Sequence, residues 1–125
     1  MIKGVGVDLV HVGQFSELIN RVGNGVLHRM FTSAELNLAE GKTNRLEFLA
    51  TRFAAKEAVY KSVVPHLKQR FDFRIIETLN RQDGSPYVNI TEQLQHYLQL
   101  AGIQNVHISI STEADYAAAF AVAEG

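Results

Sequence analysis

The chain has 125 residues, 46% of them hydrophobic and 20% charged, which is the balance expected of a globular protein with a core of ordinary size. A formal net charge of −1 supplies no global basic field for nucleic acid or an anionic membrane, and no apolar run approaches the ~20 residues that cross a bilayer. The absence of cysteine excludes disulfide scaffolds, zinc ribbons and thiol nucleophiles.

Ile2 to Val10 reads as a strand, with Val5, Val7 and Leu9 alternating against Gly4, Gly6 and Asp8. Gln14 to Val22 has helical spacing at Phe15, Leu18, Ile19 and Val22, and Gly23-Asn24-Gly25 breaks it. Met30 and Phe31 are expected in the core. Thr32-Ser33-Ala34-Glu35 is a capping box that starts a short helix to about Glu40. Asn44 caps a longer one, predicted to run to about Val64 before Pro65. Phe73 to Leu79 and Pro86 to Ile90 read as strands joined by the turn Arg81 to Ser85. Thr91 to Ala101 reads as a helix stopped by Gly102, and Val106 to Ser111 as a strand. Tyr116 to Ala123 stays open: its alanines favour a helix, its place after a strand and short turn favours a hairpin partner. Strands and helices mix without a βαβ rhythm, so the expected class is α+β, a single domain over residues 1–125.

Three places break the pattern of their own element. At about 100° per residue, Leu46, Leu49, Phe53, Tyr60 and Val64 form one stripe of the long helix, and Glu57 falls inside it. An uncompensated carboxylate facing a core is costly. Lys61, one turn on, can pair with it as a half-buried ion pair; alternatively Glu57 binds a metal, with Lys56 and Lys61 flanking it toward an anionic substrate. Asp8 shares a strand face with Gly4 and Gly6, which suggests either open space beside a working carboxylate or a solvated strand end. His107, Ser109 and Ser111 share one face of a later strand, to line a polar pocket or to form the wet side of an ordinary sheet.

Other chemistries find no support. The five histidines make no i,i+4 pair and no HExxH, and there is no GxSxG. Gly4-Val5-Gly6 lacks the third glycine and the following helix of a dinucleotide site. His11, His28, His66 and His96 read as surface or locally satisfied residues.

Gly6-Val7-Asp8 together with Arg52-Phe53-Ala54-Ala55-Lys56-Glu57-Ala58-Val59-Tyr60-Lys61 closely resembles the holo-acyl-carrier-protein synthase family of phosphopantetheinyl transferases. Phe31-Thr32 with Glu35-Leu36, Glu47 to Ala50, Gly84-Ser85-Pro86-Tyr87, and His107 to Ser111 with Tyr116-Ala117 fit the same family in the same order. The resemblance spans essentially the whole chain. It implies a compact α+β fold, an antiparallel sheet packed against one long helix and shorter ones, assembling as a homotrimer with coenzyme A in clefts between subunits. Candidate contact faces for that trimer are Val106–Ser111 and Tyr116–Val122. It implies magnesium-dependent transfer of phosphopantetheine from coenzyme A to a serine of an apo-acyl carrier protein, releasing adenosine 3',5'-bisphosphate, in the cytoplasm. By the same resemblance Asp8 and Glu57 hold magnesium, Lys61 meets the pyrophosphate, and Arg52, Lys56 and His107 lie near the nucleotide. Glu57, through a water on the metal, is the expected acceptor of the serine proton.

The chain departs from the family at three points. Ser62 to Gln69 replaces a glycine-rich loop, so Lys68 or His66 is expected to reach the phosphates instead. Thr112 stands where many relatives carry a second histidine. Gln14 replaces a basic residue on the first helix, leaving Arg21 and Arg29 to meet an acidic carrier. The missing glycine loop also motivates an alternative: a module that binds coenzyme A or the carrier without turnover.

Overall fold

The computed structural model describes residues 1–125. Ten elements follow one another: β1 (Ile2–His11), α1 (Val12–Val22), α2 (Leu27–Met30), α3 (Ser33–Glu40), α4 (Arg45–Val63), β2 (Glu77–Asn80), β3 (Pro86–Asn89), α5 (Glu92–Ala101), β4 (Asn105–Glu113) and β5 (Tyr116–Glu124). Short 3₁₀ turns occupy Asn24–Val26, Val64–His66 and Phe73–Ile75. The mixed helix and antiparallel-sheet architecture is the α+β arrangement the sequence predicts.

β5 is the central strand of a three-stranded antiparallel sheet ordered β1-β5-β4. The ambiguity of Tyr116 to Ala123 thus resolves to strand, and the alanines explain themselves. Ala117, Ala119, Ala121 and Ala123 are at most 2% exposed and face α4, whose Ala54, Ala55 and Ala58 are fully buried. Small residues on both sides bring helix and sheet backbones close, an advantage that outweighs alanine's weak strand propensity.

β1 does the same with glycine. A Cβ at Gly6 would lie 1.9 Å from the carbonyl oxygen of Ala58, and one at Gly4 2.3 Å from that of Ser62. The space beside Asp8 is therefore filled by the backbone of α4, which corrects the expectation that the glycines leave it open. α4 thus crosses β1, β5 and β4.

The apolar stripe of α4 also needs correcting. Its deepest residues are Leu49, Ala50, Arg52, Ala54, Ala55, Lys56, Ala58, Val59, Ser62 and Val63, whereas Leu46, Phe53, Glu57, Tyr60 and Val64 are only half-buried. The helix has the sheet on one side and α1, α3 and β2 on others, so it is covered nearly all round. A single amphipathic stripe describes a surface helix, which α4 is not. Its N-terminus is capped as expected, Asn44 accepting from the Glu47 amide at 3.0 Å.

Three boundaries differ from the sequence reading. α1 starts at Val12 because His11 Nδ1 accepts from the Gln14 amide at 3.0 Å. The brief α2 carries no pattern long enough to detect. Phe73 to Leu79 is not one strand: Asp72 accepts from the Arg74 amide at 3.0 Å and starts the turn Phe73–Ile75, before β2 pairs with β3. α5 is stopped by Gly102 at φ +72°, as the sequence predicts, and Thr91, read as its first residue, is instead its N-cap, accepting from the Leu94 amide at 3.2 Å.

Candidate active site

Asp8 and Glu57 come from different elements and meet where β1 runs under α4. Burial pushes the Glu57 carboxyl up, the negative charge of Asp8 pushes it further, and Lys61 opposes both. The Lys61 ammonium donates to Asp8 Oδ1 at 3.0 Å and to the Val7 carbonyl at 3.2 Å. Of the two readings of Glu57, the bland one fails in detail, because the ion pair of Lys61 is with Asp8. Glu57 stands half-buried beside a second carboxylate, with no hydrogen-bond donor of its own among the side chains.

Two hard-oxygen groups close enough to raise one another's energy by like charge fit a divalent cation. No third His, Cys, Asp or Glu joins them. The protein could therefore contribute few ligands, the rest coming from water or phosphate oxygens, which is how magnesium is usually held.

Arg52 lies on α4 about 7.5 Å along the axis from Glu57, toward the N-terminus. It is 5% exposed, with its guanidinium 4.7 Å over the ring of Phe48 and one nitrogen bonded to Asn80 Oδ1. Its Nε and Nη1 are buried without a partner in the chain. Burial lowers its pKa, and Glu35 partly offsets that. Buried guanidinium N–H groups left unpaired are costly, and an anionic ligand would satisfy them.

Lys56 is placed otherwise than the sequence suggested. Rather than flanking Glu57 toward a substrate, its ammonium is fully buried, donating to Glu35 Oε1 at 2.7 Å, Ile76 O at 2.6 Å and Arg74 O at 3.1 Å. Three donors find three acceptors, so nothing remains for a ligand. Glu35 is the residue sequence reasoning missed. Also fully buried, it accepts from the Thr32 amide, Lys56, and both the amide and hydroxyl of Thr78. Only its place in the capping box signalled it.

His107 lies on the other side of the sheet. Val5, Val122 and His107 align across β1, β5 and β4, on the face opposite Gly4, Gly6 and Asp8. There His107 Nε2 meets Glu124 Oε1 at 2.7 Å, which holds the Glu124 carboxyl below its usual range. Within one chain, His107 cannot join Asp8 and Glu57. The segment after α4 borders a groove of about 530 Å³ lined by His66, Leu67, Lys68, Gln69, Tyr97 and Leu100.

Residues 4–121 match the family described as the 4'-phosphopantetheinyl transferase superfamily. The chain is 37% identical over 124 residues to the holo-[acyl-carrier-protein] synthase of Halothermothrix orenii, spanning 99% of this chain and 98% of that protein. Its fold matches the crystal structure of holo-[acyl-carrier-protein] synthase from Neisseria meningitidis with a TM-score of 0.90 at 34% identity, over 100% of both chains. The synthase of Bacillus anthracis, crystallised in complex with CoA (3',5'-ADP), gives a TM-score of 0.77 at 32% identity, over 99% of this chain and 97% of that one.

Proposed function

The chain belongs to the 4'-phosphopantetheinyl transferase superfamily, among the holo-acyl-carrier-protein synthases, and from that premise we propose that, as a single catalytic domain, it transfers phosphopantetheine from coenzyme A to a serine of an apo-acyl carrier protein. The observation that carries the reading is the convergence of Asp8, Glu57 and Lys61 from two distant parts of the sequence.

In the reaction, the serine oxygen attacks the phosphorus bearing the pantetheine arm. The new P–O bond forms as the bond to the bridging pyrophosphate oxygen breaks, and adenosine 3',5'-bisphosphate leaves with that electron pair. Asp8 and Glu57 would hold magnesium, which when bound neutralises pyrophosphate charge. Lys61 stabilises the charge that gathers on the leaving phosphate. Glu57, half-buried beside Asp8, takes the serine proton through an intervening water. Arg52, with its unpartnered Nε and Nη1, binds the phosphorylated nucleotide end. Lys68 and His66, bordering their groove, take over phosphate contacts from the missing glycine loop.

The working form is a homotrimer. The outer face of the sheet leaves Val5, Val7 and Leu9 55–63% exposed and Phe120 50% exposed, an apolar patch suited to another copy. The acidic carrier docks on the exposed Arg21 and Arg29. No helix is long and apolar enough to cross a membrane, and coenzyme A and a carrier protein as substrates support work in the cytoplasm, in fatty-acid biosynthesis or a specialised pathway with its own carrier.

Mass spectrometry of an apo-acyl carrier protein incubated with the protein, coenzyme A and magnesium tests this. The carrier gains the mass of phosphopantetheine with the wild type and not with Asp8→Ala or Glu57→Ala. Coenzyme A binding without any gain would favour the binding-module alternative.

A further inference from the structure

Lys61 has a contact that its role at the pyrophosphate does not explain. Its ammonium sits on Asp8 Oδ1 at 3.0 Å, steadied by the Val7 carbonyl at 3.2 Å. Asp8 is anchored on a strand with its side chain 16% exposed, whereas the Lys61 side chain is 51% exposed on a long flexible stem. The carboxylate is thus the more confined partner and the ammonium the more exposed one. A divalent cation on Asp8 would stand within about 5 Å of an ammonium kept on the same carboxylate, and its double charge repels that ammonium more than a single carboxylate charge attracts it.

We infer that Lys61 is an internal stand-in cation for Asp8, displaced when the metal loads and thereby delivered to the phosphates. This rests on the reading of Asp8 and Glu57 as magnesium ligands. Two consequences follow from the geometry. Metal binding competes with the Lys61–Asp8 pair, so the pair weakens metal affinity. Loading also frees a positive group beside the acids, which makes the site a better receptor for the pyrophosphate than the metal's own charge alone would. Asp8 is the only side chain that accepts from Lys61 here, although Glu57 also lies within the field of the ammonium.

The test is NMR of lysine side-chain ammonium groups in full-length protein, first stripped with a chelator and then saturated with Mg²⁺, without coenzyme A. The Lys61 signal is assigned by its loss in Lys61→Arg. In stripped protein the signal carries a shift that Asp8→Asn abolishes, and magnesium abolishes it likewise in the wild type. In parallel, Mn²⁺ binding followed by electron paramagnetic resonance is about fivefold tighter in Lys61→Met, the scale set by a half-exposed ion pair. Lys3→Met, which removes the same charge some 16 Å along the strand, changes it less than twofold. Magnesium binding that leaves the Asp8-dependent shift in place would overturn the inference and leave the metal site standing, with the cation on the other carboxylate oxygen. Equal Mn²⁺ affinity in Lys61→Met and wild type would also overturn it. Metal binding that survives in both Asp8→Asn and Glu57→Gln would overturn the metal assignment itself, and the inference with it.

Discussion

At Glu57 stability and function pull apart. Its carboxyl is raised by burial and by Asp8, so between its unfolded and folded pKa the folded state holds more protons than the unfolded one. Stability contributed by that proton is present at low pH and lost as pH rises through the folded value. Glu57→Gln keeps the shape and removes the charge. In chelator-treated protein at pH 7 it should melt higher, by about 2 °C, with a flatter dependence on pH, and it should have no transferase activity; calorimetry across pH checks the first part. Lys56 presents the opposite case, a charge that serves the fold. Lys56→Met leaves the Glu35 carboxylate buried without its cation, and the expected loss is about 3–5 kcal/mol, read from urea denaturation. The sequence pattern set Glu57 in the apolar stripe and Lys56 on its flank toward a substrate, and the structure buries Lys56 the deeper of the two. Which one is buried depends on the face of the helix that β2 and α3 cover, and that is not local information.

Among the elements, the decisive contact is α4 on β1. Gly6 lets the helix backbone come close enough to set Glu57 beside Asp8. Gly6→Ala forces the Ala58 carbonyl away, so the variant should lose about 1–3 kcal/mol of stability and bind Mn²⁺ more weakly than wild type. A stability loss with unchanged metal affinity would mean the acids are positioned by something else. The caps at Thr32 and Asn44 and the stop at Gly102 were legible because each is a local hydrogen-bonding or backbone preference. The strand nature of β5 was not, because alanine favours strand there only for its fit against α4. The Gly-x-Asp motif was visible in the sequence, yet the reason for its glycines is a helix fifty residues away.

At the scale of the whole molecule, one chain leaves the chemistry divided between two faces of its sheet. Asp8, Glu57 and Lys61 lie on the α4 side of the sheet, and His107 points the other way, paired with Glu124. Strand alternation did tell which residues share the His107 face, but not that this face turns away from the acids, since that needs the register of all three strands. If copies complete the site for one another, Phe120→Arg on the exposed apolar patch should convert a trimer to a monomer in sedimentation and lose transferase activity while the acids stay intact. The account stands or falls on the acids themselves. Crystals grown with Mn²⁺ and coenzyme A, measured at the manganese absorption edge, should show an anomalous peak bonded to both Asp8 and Glu57 with the pyrophosphate against it. A peak elsewhere, or bound nucleotide with no ion touching either carboxylate, would contradict it.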